Sequence, residues 1–193
     1  MTRTTLTGIF TLPAWGLLAL MAATRFHHFG DFQTLPDASL AVFFLAGLLI
    51  ADRCLFPVLL AAAGLIDYLA VAHAGVSDWC VTPAYLFLIP TYAALWLGGR
   101  WSRCFTLDEA AGLARTLVAL GASTLVAFLI SNASFYALSG YFNGTDFESY
   151  SVRMIPYLTP YVAAPLAYAA LILAGRWGWR QLASGLPQEH PKS

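Results

Sequence analysis

The sequence predicts an all-α integral membrane protein of six transmembrane helices, and three observations predict it. Charges are sparse, ten Lys/Arg and ten Asp/Glu in 193 residues, and nearly all lie between long apolar runs. The composition is 59 % hydrophobic with a mean hydropathy of +0.68, more apolar surface than one small water-soluble core can hide. Alternation at period two is sustained nowhere, which argues against a transmembrane β-barrel. The whole chain, 1–193, reads as a single transmembrane domain with the lipid bilayer as its solvent.

A bilayer core takes roughly 20 apolar residues per helix. The first helix is expected over about 8–24, behind Arg3. Its Gly8–Ala23 run has a basic start and a small-residue end like a secretory leader, but it is long for one and leads into a membrane domain. The second, 36–51, is short and is expected to tilt or be shielded by its neighbours. The third, 54–73, carries Asp67 inside an apolar run. The fourth covers 82–99. The fifth, 109–140, is long enough that its ends project beyond the hydrocarbon or bend. The sixth, 153–175, contains Pro156, Pro160 and Pro165, which remove backbone donors and favour kinks. The polar remainder, 176–193, is a short cytoplasmic tail.

Loop charges set the orientation. With the N-terminus inside, Arg3, Arg53, Arg100, Arg103, Arg176, Arg180 and Lys192 are cytoplasmic, and only Arg25 and Arg153 fall outside. Arg115, in the first turns of helix five, can snorkel inward. This bias predicts N-in and C-in, and an even helix count agrees. The zero net charge and the absence of a basic stripe point away from nucleic acid. No P-loop is present, so the chain has no ATPase of its own.

On that topology the polar residues gather outside. The first outer loop holds Arg25, His27, His28 and Asp31. Asp67 lies toward the outer end of helix three. A carboxylate there is expensive unless it finds a partner; it either pairs with Arg153 or a Tyr hydroxyl, or binds a polar ligand edge. The second outer loop reads Ser77-Asp78-Trp79-Cys80, with Tyr85 one turn further on. The third brings Tyr141, Asn143, Asp146, Glu148 and Tyr150, and Arg153 opens helix six. On helix five, Ser131, Asn132 and Ser134 serve either as helix–helix hydrogen-bonding groups or as donors to a ligand.

Cys54 and Cys104 fall at cytoplasmic helix ends, whereas Cys80 is alone outside with no disulfide partner within reach. It is either an inert thiol under its loop or a metal ligand or nucleophile, with a neighbouring His or Arg153 lowering its pKa. His27-His28 is either an interfacial polar pair or part of a ligand set.

The 20.9 kDa chain, with six helices, no soluble module and a site of outer loops, resembles the substrate-binding S-components of energy-coupling factor (ECF) transporters. The Ser77-Asp78-Trp79-Cys80 loop, with His27-His28 before it and Tyr85 after it, resembles the solitary cobalamin S-components of the BtuM family. The resemblance implies an S-component-like bundle in the bacterial inner membrane, with cobalamin or a related corrinoid as transported substrate. Cys80 would then be the axial ligand of its cobalt, and a soft thiolate suits a transition metal. Substrate-binding residues would be His28, Asp67, Trp79, Cys80, Tyr85, Tyr141, Asn143 and Arg153, with Phe26 a further wall. Thiolate ligation would labilise the opposite axial group, making Cys80 the catalytic residue of a possible decyanation of cyanocobalamin.

The expected partner is an ECF energising module of ATPases and a membrane coupling protein, or none. The best small-xxx-small stretch, Ala19–Ala23, lies in the outer half of helix one, not where a cytoplasmic-side coupling protein would dock. Two other readings compete. Exosortase-type membrane cysteine transpeptidases or proteases place Cys, Arg and His at the outer face, as Cys80, Arg153 and His28 could. A structural or assembly subunit would use the polar outer face to meet a partner.

Overall fold

A computed structural model describes residues 11–25 and 35–184, and within them every regular element is helical. Six α-helices follow one another: α1 (Leu12–Arg25), α2 (Ser39–Leu49), α3 (Leu55–Ala74), α4 (Leu88–Trp101), α5 (Ala110–Leu138) and α6 (Phe147–Ser184). Three of them, α3, α5 and α6, are long and apolar enough to cross a membrane, and α2 is a shorter apolar helix. Their outward faces carry large exposed apolar side chains, among them Leu65, Leu97, Leu125, Leu129, Ile155 and Leu171. So continuous an apolar exterior points to a membrane protein rather than to a surface made for water.

The short α2 is the centre of the fold. It is apolar all round, as a fully enclosed helix must be, and every residue from Ala41 to Leu48 is buried. It packs against each of the other α-helices, so the expected shielding by neighbours is what the structure shows. Its closest neighbour is α4. Gly47 lies against the backbone carbonyl of Trp96, and Gly99 against that of Phe44. A Cβ at either position would run into main chain, so glycine lets two backbones touch there.

Helix ends follow local chemistry. The expected fourth helix splits, because 83–87 is a 3-10 segment and the α-helix begins only at Leu88. Thr82 caps the 3-10 segment, its Oγ1 accepting from the Ala84 N–H at 3.3 Å, with Pro83 at the first helical position. Starting α4 at Leu88 also puts Pro90 in the first turn, where its missing N–H costs nothing. Helix α3 ends on Gly75 at φ 68°, with the Val76 N–H reaching back to the Ala70 carbonyl, a left-handed glycine stop.

Helix α6 starts at Phe147, not at 153, because Asp146 caps it. The Asp146 carboxylate accepts from the Ser149 N–H and hydroxyl, both at 2.8 Å, and these bonds hold it below the usual carboxylate range. The helix runs unbroken through Pro156, Pro160 and Pro165 and continues to Ser184. The first nine residues of the expected tail are therefore helical rather than loose chain.

Candidate functional site

A cavity of about 560 Å³ opens at one end of the helices. The odd-numbered helices line it with their C-terminal parts, through Arg25, Asp67, and Phe128 to Phe135. The even-numbered helices bring N-terminal parts, through Leu40, Leu88 to Tyr92, and Met154 to Pro165. The Trp79-Cys80 loop forms the remaining wall. The lining is mostly apolar and aromatic with a few placed polar groups, the usual make-up of a small-molecule site.

The polar centre is Arg25, only 3 % exposed at the last position of α1. A helix C-terminus favours a cation, and the burial is met by a full set of partners. Its Nε donates to Asp67 Oδ1 at 2.7 Å and its Nη2 to Asp67 Oδ2 at 2.6 Å, the bidentate fork that arginine makes best with a carboxylate. Its Nη1 donates to the Tyr92 hydroxyl at 2.6 Å, to Ser39 Oγ at 3.0 Å and to Asp37 Oδ2 at 3.3 Å. Tyr85 donates its hydroxyl to Asp67 Oδ2 at 2.6 Å. Tyr92 is held in turn by a parallel stack on Phe43 of α2, centroids 4.1 Å apart. The network thus joins α1, the start of α2, α3, the 3-10 segment and α4. Thr24 adds a clasp: its hydroxyl oxygen accepts the Ala38 N–H at 3.0 Å.

Asp67 therefore has its partner, and the partner is Arg25 together with the Tyr85 hydroxyl. The alternative pairing with Arg153 does not form. Arg153 is exposed, lies in the second turn of α6, and is not part of the cavity lining. With α6 starting at Phe147, Arg153 is a residue inside the helix on an exposed face rather than one at the helix mouth. Asn143 is likewise exposed and outside the lining. Tyr141 does not line the cavity, but it stacks on Trp79, which does, with centroids 3.8 Å apart and planes at 8°. His28, with His27 and Phe26, lies outside the described residues. Of the expected binding set, the structure brings together Asp67, Trp79, Cys80 and Tyr85 in one cavity wall, with Tyr141 behind Trp79.

Cys80 sits in a short turn in which the Val81 N–H bonds the Asp78 carbonyl at 2.7 Å. The thiol is half-buried at the cavity wall and is a free cysteine, as are Cys54 and Cys104. Burial pushes its pKa up, and the negative charge of Asp67 adds to the rise. This direction is opposite to the one expected from a neighbouring cation, and burial is its larger cause. Among the described residues no three His, Cys, Asp or Glu side chains form a metal-holding group. Cys80 itself offers one sulfur donor.

The sequence reading missed Arg25, Asp37 and Tyr92 as site residues. The apolar run stops just before Arg25, so the sequence presents it as an outer-loop charge. The available signal was charge balance, since a carboxylate buried in helix three demands a cation from the same side of the membrane. Ser131 and Asn132 do line the cavity, whereas Ser134 turns back to the Ser131 carbonyl at 2.9 Å.

No protein-family model matches the chain, and a comparison with curated proteins finds no match either.

Proposed function

We propose that this protein takes up cobalamin or a related corrinoid across the bacterial inner membrane, binding it from the outer side with Cys80 as the axial cobalt ligand. The observation that carries the proposal is the position of Cys80, a lone thiol on the wall of a large, aromatic-lined cavity beside Trp79 and Tyr85. A single sulfur donor suits a metal that brings its other ligands in its own macrocycle. The flat corrin would lie against the apolar and aromatic wall, and its amide rim would meet the polar groups around Arg25. A cavity of this size encloses the reacting face of so large a ligand and leaves the rest at the mouth.

In this reading six helices span the membrane with both termini in the cytoplasm. The alternation of helix ends around the cavity supports an up-and-down arrangement, and the loop charges support the orientation. The Cys80 proton leaves to solvent as the sulfur lone pair bonds cobalt and displaces the base on that face. On cyanocobalamin the opposite cyanide then leaves with its bonding pair, picks up a proton and gives way to water, a decyanation that leaves the cobalt oxidation state unchanged. Import is driven either by an ECF energising module or by the chain alone. The exposed position of Arg153, away from the cavity, lends no support to the transpeptidase reading.

The test is the visible spectrum of protein purified from cobalamin-fed cells, beside Cys80→Ala. The expected result is a coloured wild-type protein with a thiolate-shifted spectrum that the variant lacks. A colourless protein, unchanged on adding cobalamin, overturns the corrinoid reading.

A further inference from the structure

Among the described residues two carboxylates line the cavity, and they are not equivalent. Asp67 is held in short bonds: Oδ1 accepts from Arg25 Nε, and Oδ2 from Arg25 Nη2 and the Tyr85 hydroxyl, at 2.6 to 2.7 Å. It is 8 % exposed and fixed by three bonds. Asp37 is different. Its Oδ1 accepts the N–H and hydroxyl of Ser39 at 2.9 and 2.6 Å, which fixes the side chain at the start of α2. Among the described residues its Oδ2 has one contact, with Arg25 Nη1 at 3.3 Å, long for a charge-assisted bond. A carboxylate offers about four acceptor positions, and Asp37 lines the cavity with its side chain 26 % exposed. Acceptor capacity is therefore left on the Oδ2 side.

The charge count points the same way. Among the described residues that line the cavity, Arg25 is the one cation, against Asp37 and Asp67. Among those residues one negative charge is in excess, in a cleft with low-dielectric walls that focus its field. We propose that Asp37 is the specificity-determining carboxylate of this cavity. It accepts an N–H donor of the ligand, a primary amide or an ammonium group, and turns away anionic groups. Asp67 is a positioning residue that holds Arg25 and Tyr85. The inference deepens the reading of the cavity, and only its corrinoid arm rests on that reading.

Cys80 shares the cavity and supplies a reporter that needs no known ligand. In a Cys54→Ser/Cys104→Ser background Cys80 is the only thiol. Its modification is timed with a trimethylammonium and a sulfonate methanethiosulfonate, each rate divided by that on a small thiol in solution. The cationic reagent is expected to be favoured by roughly tenfold. Asp37→Asn, which keeps an oxygen for Ser39, should shrink that preference by roughly fivefold. Glu148→Gln, an exposed carboxylate outside the cavity lining, should leave it in place. A ratio near or below one overturns the proposal without any variant. So does an Asp37→Asn ratio equal to the parent's, or an equal shift from Glu148→Gln.

The second arm compares cobalamin with its derivative carrying one rim amide hydrolysed to a carboxylate. The parent should bind the acid at least about tenfold more weakly, and Asp37→Asn should narrow the gap. Equal binding of the two by the parent overturns the role of Asp37 toward the corrin rim. If the parent holds neither, the corrinoid reading falls, while the reagent ratio still decides what Asp37 does.

Discussion

The two ends of the helix bundle are held by different physics. At the cavity end the helices stand apart and are joined through side chains, with Arg25 at the hub and Asp67, Asp37, Tyr85 and Tyr92 around it. Toward the other end α2 and α4 touch backbone to backbone at Gly47 and Gly99. There Arg100 also donates to the Ala51 carbonyl at 3.1 Å. Dispersion and close packing hold one end, and a charge network holds the other. A polar network keeps helices apart at a fixed spacing, so it can surround a cavity. A glycine crossing cannot. The position of the cavity follows from where the sequence spends its charges and where it spends its small residues.

Breaking each end separately sharpens the contrast. The largest effect is expected from Arg25→Met, which strands the buried Asp67 carboxylate and should cost about 3–5 kcal/mol. The measure is thermal or denaturant unfolding in detergent, and Arg25→Met combined with Asp67→Leu should recover most of the loss. If the double variant is no better than the single, the cost lies in packing and not in an orphaned charge.

At the other end, Gly99→Ala should cost about 1–3 kcal/mol, as overpacking does, while leaving modification of Cys80 at its normal rate. A changed Cys80 rate would mean that the two ends are coupled.

Cys80 gives a pH-dependent readout of the cavity end. Its pKa is raised, so the folded protein keeps the thiol proton to higher pH than an unfolded chain does. Reaction with a neutral iodoacetamide should climb roughly tenfold per pH unit and still be climbing at about pH 9, where an ordinary thiol levels off. A plateau below that pH would mean that a cation outweighs the burial and the Asp67 charge that raise the thiol's pKa. If Cys80 ligates cobalt as proposed, that ligation should strengthen with rising pH over the same range, because the proton must leave first.

The smallest effect is expected from Arg180→Ala. The Arg180–Asp108 pair joins α6 to the segment before α5, but its side chains are 48 % and 60 % exposed. Exposed pairs contribute about 0–1 kcal/mol, so unfolding should barely move.

Much of this architecture could be read from the chain. Each apolar run became a helix, because burying or embedding such a run requires its backbone groups to be satisfied internally. Asp67, Trp79, Cys80 and Tyr85 were legible as one group because all four lie on or beside the single connection between α3 and α4. Helix ends were less legible. The capping of α6 by Asp146 and the delay of α4 to Leu88 rest on one or two local hydrogen bonds, which hydropathy does not register. With that shift Arg153 lies inside α6, on a face that does not line the cavity.

By itself the sequence determined the helical class, the apolar exterior and the gathering of polar residues at one end, since these follow from periodicity and from the cost of leaving charge in an apolar medium. Only the tertiary structure decided which charges meet. Arg25, 42 residues from Asp67 along the chain, became its partner, and Asp37 was left with acceptor capacity facing the cavity. Such pairings depend on helix rotation and spacing to within a hydrogen bond's length. Those are set by packing around α2, and no stretch of sequence read alone contains them.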